Sequence, residues 1–126
     1  MTAMRLNRRH SMTRAYEFAR VRAEGSSQAG RCVVVSAAPV ADAEAPSRFG
    51  IICTKKVGNA VVRNLLRRRV RELLRAHADA WARGWHLVVI LRWRAADTPF
   101  AALEKDFCKT LARLAKATAT RQTAHA

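Results

Sequence analysis

The stretch Thr54-Lys55-Lys56-Val57-Gly58-Asn59-Ala60-Val61-Val62-Arg63-Asn64-Leu65-Leu66-Arg67-Arg68-Arg69-Val70-Arg71-Glu72-Leu73-Leu74-Arg75 decides how this chain is read. It holds eight Lys or Arg and a single acid, Glu72. Val62, Leu66, Val70 and Leu73 recur within it at helical spacing, with Leu74 at the edge. Asn64, Arg67, Arg68, Arg71 and Arg75 fall on the opposite side. Gly58 and Asn59 break the pattern, and Asn59 is a good cap for the helix that follows. The spacing predicts that helix from Asn59 to about Trp81, with Gly84 as its stop. The positive charge is therefore built onto a folded element. A rigid cationic face calls for an anionic partner of fixed shape, with RNA the leading candidate.

Outward from this helix the pattern alternates. Phe49 to Thr54 is apolar and strand-like, and so is the β-branched run Cys32 to Ala37. The acidic loop Pro39 to Ser47 joins them, so the two are expected to be antiparallel neighbours. Ser26 to Gly30 reads as a small-residue turn. Before it, Ser11 is the expected cap of a first helix that ends at Glu24 before Gly25. Its expected inner face carries Met12, Ala15, Phe18 and Ala19, with Tyr16 and Val21 to the sides. Beyond Gly84, Trp85 to Leu91 is a strongly apolar strand. Asp97-Thr98-Pro99 starts a last helix, with Thr98 as cap and Pro99 at the first helical position. Phe100, Leu103, Phe107, Leu111 and Leu114 form its apolar stripe. Fraying is expected from about Thr118. The order is helix, strand, strand, helix, strand, helix, an α+β sandwich of helices on one small sheet.

The totals agree with one domain over residues 1–126, ordered from about 5 to 116 and mobile at 1–4 and 117–126. Half of the residues are hydrophobic, so a core can form. The net charge is +15, from 24 basic and 9 acidic residues. Self-repulsion of that size opposes compaction unless a polyanion neutralises it. Cys32, Cys53 and Cys108 are odd in number and lack CxxC spacing. They read as small buried hydrophobes in a reducing compartment. His10, His77, His86 and His125 are scattered and make no metal pattern. No run approaches the ~18 apolar residues of a membrane span, and no apolar segment follows Arg5, Arg8 and Arg9. A cytoplasmic location is expected.

The Thr54–Arg75 stretch resembles the signature of the bacterial ribonuclease P protein component. That pattern runs [ST]-K-K-x-G-N-A-V-x-R-N-[RK]-[IVL]-[KR]-R-x-[IVL]-R-E. Thr54, Lys55, Lys56, Gly58, Asn59, Ala60, Val61, Arg63, Asn64, Leu66, Arg67, Arg68, Val70, Arg71 and Glu72 match it. Ala29-Gly30-Arg31, Arg48-Phe49-Gly50-Ile51, Leu87-Val88-Val89-Ile90 and the segment from Phe100 to Leu114 resemble other parts of the family. The likeness thus covers about residues 5 to 116. Leu65 departs from it, because the family has Arg or Lys there. Arg69, one turn on, is expected to supply that charge.

The resemblance implies an αβββαβα two-layer sandwich with a left-handed βαβ crossover, and so a fourth, short strand. It implies binding to the catalytic RNA of ribonuclease P and to precursor tRNA, whose 5′ leader the holoenzyme removes. The chemistry is implied to lie at the RNA with Mg²⁺. RNA contact is expected at Lys55, Lys56, Asn59, Arg63, Asn64, Arg67, Arg68, Arg71 and Arg75. The family also places two aromatics one turn apart in a leader groove. Counting back from Ala29-Gly30-Arg31 puts these positions at Phe18 and Arg22; counting forward from Arg5-Leu6 puts them at Met12 and Tyr16. Phe18, with Tyr16 nearby and Arg31, is the preferred groove set.

The residues themselves weigh the alternatives. Arg suits phosphate because its planar fork donates two parallel bonds. A merely solvated face with i,i+4 pairing fails on numbers, since Glu72 is the one acid in the stretch. Phe18 and Tyr16 suit base stacking, although Phe18 also suits a core position. Trp93, between Arg92 and Arg94, is a weaker RNA-contact candidate. A protein nuclease would need gathered carboxylates. No motif gathers the acids here, and Glu104 and Asp106, two apart on a helix, do not share a face. A structural RNA binder of the ribosomal type has the same composition, and only the signature separates the two. A helix-turn-helix DNA binder would instead show sequence-specific duplex binding.

Overall fold

The computed structural model describes residues 11–124 apart from residue 13, with the backbone alone for 120–124. The basic segment 1–10 lies outside the described residues. The elements in order are α1 (Ala15–Glu24), β1 (Ser26–Ala29), β2 (Val33–Pro39), β3 (Arg48–Ile52), α2 (Ala60–His77), β4 (Trp85–Leu91) and α3 (Phe100–Ala124). Short 3₁₀ turns at Asp79–Trp81 and Trp93–Asp97 flank β4. Among the described residues no helix is long and apolar enough to cross a membrane.

The four strands lie in the order β1-β2-β4-β3. β4 is antiparallel to β2 and parallel to β3, which makes β3–α2–β4 a parallel βαβ unit. This corrects the expected pairing of β2 with β3. The two run in opposite senses, but β4 lies between them. The reason is burial: Leu87, Val88 and Val89 are completely buried, and a strand this apolar on both faces belongs in the sheet interior. The acidic loop 40–47 reaches across to the entry of β4, where Val40 N–H donates to the Gly84 carbonyl and Ser47 N–H to that of Ala82. The fourth strand is β1, at Ser26–Ala29, where the small residues predict only a turn. Its pairing with β2 supplies the partner that local sequence does not reveal.

Side chains alternate across the sheet. Val33, Val35, Ala37, Phe49, Leu87, Val89 and Leu91 pack with Leu66, Val70, Leu73 and Leu74 of α2 and with Leu103, Phe107, Leu111 and Leu114 of α3. Each of these large side chains contributes about 1.5–3 kcal/mol by leaving water. On the other face Ala38 and Val88 pack with Met12 and Val21, and with the half-buried Phe18, Ile52 and Ile90. Thus α2 and α3 cover one face of the sheet, and α1 crosses part of the other.

Several element ends differ from expectation. α1 begins after Arg14, which has extended backbone and no side-chain cap bond, and not at Ser11. Ser11 instead bridges to Phe49, and Met12 N–H donates to the Phe49 carbonyl, because edge pairing with β3 buries Met12. The inward residues of α1 are Glu17, Phe18 and Val21, while Ala15 and Ala19 are exposed. α2 stops at His77, and the expected last turn to Trp81 is 3₁₀. Thr98 does not cap α3; its hydroxyl donates back to the Arg94 carbonyl. α3 continues through the expected fraying point to Ala124, with Thr118 buried and its hydroxyl bonded to the Leu114 carbonyl. Cys32 and Cys53 are buried as expected, but Cys108 is only half-buried.

Gly84 marks the turn into β4 with φ of +81°, where a Cβ would lie 2.8 Å from the Ala43 carbonyl oxygen. Gly84→Ala is therefore expected to cost about 1–3 kcal/mol, the sum of left-handed strain and a backbone contact. Urea unfolding measures this as a lowered midpoint. An unchanged midpoint would show that the loop at 43–45 yields freely.

Candidate nucleic-acid interface

The packing of α2 fixes which way its charge points. Leu66, Val70, Leu73 and Leu74 are buried, so Asn64, Arg68, Arg71 and Arg75 are turned outward and exposed. These four form one stripe roughly 16 Å long at 1.5 Å per residue. Among the described residues no acid pairs with any of them; the ion pairs are Arg20–Glu24, Arg48–Glu17 and His77–Glu104. A shallow concavity along the stripe is lined by Val61, Asn64, Leu65, Arg67, Arg68 and Arg71. Leu65 thus lies inside the cationic face as an apolar spot beside the exposed Val61. Arg69 does not replace the missing charge there. It is half-buried, with its guanidinium over the Phe100 ring 5.8 Å from the centroid.

The remaining expected contact residues are held more closely. Asn59 accepts from Val62 N–H at 3.0 Å, so its side-chain oxygen is engaged as the helix cap. Arg67 donates to the Cys53 carbonyl at 3.3 Å, and burial pushes the Cys53 thiol up despite the nearby Arg67 and Arg63. Arg63 is half-buried, and its Nε has no hydrogen-bond partner. Lys55 and Lys56 are exposed on a turn closed by Val57 N–H to the Thr54 carbonyl and anchored by buried Val57.

The strand register puts three segments at one end of the sheet. Val33 pairs with Leu91 and Ile52 with Ile90, so the β1–β2 turn, the exit of β4 and the exit of β3 lie together. That end carries Arg31, Arg92, Arg94, Lys55 and Lys56. Arg31, however, lines a concavity with Lys109 and Arg113 of α3, apart from Phe18. Its backbone N–H and that of Cys32 donate to the Asp106 carboxylate at 2.9 and 2.8 Å. Arg113 donates to the Ala29 carbonyl at 2.7 Å. Sequence gives no sign of this clamp, whose partners are more than seventy residues apart.

Phe18 sits on the second sheet face against Gly50, where a Cβ would lie 2.3 Å from the ring. With Ile52 and Ile90 it makes a partly open apolar surface beside α1. Tyr16 is two residues away on the helix and 64% exposed, so it is on another flank and does not share this surface. Met12, the other counted candidate, is buried beneath α1.

Sequence reasoning missed what holds α1 in place. Glu17 is 3% exposed and accepts from Arg48 Nη1 at 2.7 Å, while Arg48 Nη2 donates to the Ser11 carbonyl. Glu17 Oε1, Arg48 Nε and His86 Nδ1 beside them have no hydrogen-bond partner. The pair joins residues thirty-one apart, and only the alternation of β3 could have hinted that Arg48 faces α1. Burial lowers the His86 pKa from its ordinary value; Arg20 adds to this, Glu17 opposes it, and Arg48 lowers it further. The unfolded chain therefore takes up a proton on His86 more readily than the folded one. The resulting stability is present above about pH 6.5 and is lost as pH falls through the lower folded value. The wild type should lose more melting temperature between pH 7.5 and 5.5 than His86→Gln; equal losses would remove His86 as the source.

A single small sheet, helices on both faces and an unpaired cationic stripe define a compact α+β protein built to meet a polyanion. The family model described as Ribonuclease P matches residues 6–115. The ribonuclease P protein component of Kocuria rhizophila is 38% identical over 116 residues, covering 92% of this chain and 96% of that one. The solved ribonuclease P protein of Staphylococcus aureus superposes with a TM-score of 0.73 at 28% identity, over 81% of this chain and 92% of that one. That of Thermotoga maritima gives 0.65 at 28% identity, over 87% and 96%. The chain belongs to the ribonuclease P protein family.

Proposed function

We propose that this chain is the RNA-binding subunit of ribonuclease P and assists the catalytic RNA in removing the 5′ leader from precursor tRNA in the bacterial cytoplasm. The observation that carries the reading is the stripe Asn64, Arg68, Arg71 and Arg75: exposed, without a carboxylate partner among the described residues, and fixed in direction by the buried side of α2. The helix backbone that carries these guanidinium groups is already folded, so only the side chains are ordered on binding, and each phosphate contact releases counterions. Asn64 adds an amide suited to a phosphate or a 2′-hydroxyl. Lys55 and Lys56 extend the positive surface toward the end of the sheet. The surface of Phe18, Ile52 and Ile90 suits unpaired leader bases, because stacking tolerates any sequence.

Catalysis is assigned to the RNA and its Mg²⁺. The protein's own acids do not suit a metal centre: among the described residues no three His, Cys, Asp or Glu groups gather to hold an ion. Glu17, Glu104 and Asp106 are instead engaged by Arg48, His77 and the turn at Arg31. The protein's part is to bind, orient and neutralise.

Adding the chain to bacterial catalytic RNA at low Mg²⁺ should raise leader cleavage. No gain would leave only a structural RNA binder. Arg68→Ala and Arg71→Ala should each weaken binding and reduce the salt slope by about one. Unchanged affinity at moderate salt, with the fold intact, would move the contact elsewhere. Phe18→Ala should weaken precursor more than mature tRNA by on the order of 10-fold. An equal effect on both would make Phe18 a packing residue only.

A further inference from the structure

We infer that Trp93 is a stacking platform for one unpaired RNA base, a site separate from the α2 stripe and from the surface at Phe18. Trp93 is 61% exposed. The other two tryptophans behave differently: Trp81 is 5% exposed and meets half-buried Trp85 edge-on, with centroids 4.8 Å apart. Trp93 opens the 3₁₀ turn Trp93–Asp97, which is anchored at Arg92 and Ala95. Arg92 N–H donates to the Cys32 carbonyl at 2.8 Å, and Arg92 Nη1 to the Gly30 carbonyl at 2.9 Å. Ala95 N–H closes the turn onto the Arg92 carbonyl, and Ala95 itself is fully buried. The indole is thus carried on backbone that is already ordered, which lowers the entropy lost on binding.

The chemistry around the ring selects the ligand. The Arg94 guanidinium lies over the ring 5.2 Å from its centroid. A guanidinium stacked over the indole leaves the opposite face for a nucleobase and sets a positive charge within one side chain of that nucleotide's phosphate. Arg31, Lys55 and Lys56 lie at the same end of the sheet, so a polyanion is drawn there. A paired base would not serve, because its faces are occupied within the helical stack. The ligand is therefore a single-stranded nucleotide, either in the catalytic RNA or in the leader of precursor tRNA. The inference rests on the RNA-binding function proposed above.

Tryptophan emission of the full chain, titrated with a single-stranded oligoribonucleotide, tests it. The wild type should be quenched on binding. Trp93→Ala should bind on the order of 10-fold more weakly, the size of one base–aromatic stack, with the emission of Trp81 and Trp85 left unquenched. Trp93→Phe should keep most of the affinity. The salt slope should be the same in all three, because an indole stacked on a base neutralises no phosphate. Equal affinity of wild type and Trp93→Ala overturns the platform and leaves the α2 assignment standing. Failure of the wild type to bind RNA at all defeats both. The same variants, measured against catalytic RNA alone and then as holoenzyme against precursor and mature tRNA, locate the base. A loss confined to the first puts it in the catalytic RNA, and a loss confined to precursor puts it in the leader.

Discussion

The rest of the molecule depends on the one-sided burial of α2. Leu66, Val70, Leu73 and Leu74 are shut against the sheet and α3, and they fix the rotation of the helix about its axis. A helix of this charge would repel itself and fray if isolated. Seated on an apolar floor, it holds Arg68, Arg71 and Arg75 on the outer side, with no ion pair to an acid among the described residues. The apolar contact thus stabilises the fold and also keeps the cationic stripe in a single direction.

β4 makes that seat possible. Paired on both edges, it ties α2 into the parallel unit with β3 and supplies Leu87, Val89 and Leu91 to the floor under the helices. Its other face presents Val88 and Ile90 to α1 and Phe18. One strand therefore serves both surfaces. The Glu17–Arg48 pair sets where α1 crosses the second face. A carboxylate buried this deeply is stable only while its partner stays in place, so the pair acts as a fixed registration point for α1. The cations split accordingly into two groups. Arg68, Arg71 and Arg75 are free to meet phosphate, whereas Arg48, Arg67, Arg92 and Arg113 each donate to protein oxygen.

Local pattern was enough wherever a residue's role follows from its neighbours along the chain. The α2 stripe, the Asn59 cap, the apolar strand at Trp85–Leu91 and the buried face of α3 all repeat at short spacing, and all are present in the fold. The failures share a cause. Ser11 is an acceptable cap by type, but edge pairing of Met12 with Phe49 overrides it. Ser26–Ala29 lacks strand residues and becomes a strand because β2 offers it an edge. β2 and β3 look like hairpin partners because they are consecutive, yet a more apolar strand from later in the chain lies between them.

Charge, the amphipathic period of α2 and the family signature are legible along the chain, since each is carried by residues within a few turns of one another. Long-range packing settled which arginines are free. Arg67 and Arg69 look like Arg68 and Arg71 in sequence, but the first reaches the Cys53 carbonyl and the second the Phe100 ring. It also decided that Tyr16 and Phe18 point apart, and that Arg31 faces α3. Direction in space depends on what packs against the opposite side of each element. That partner is supplied by chain remote in sequence.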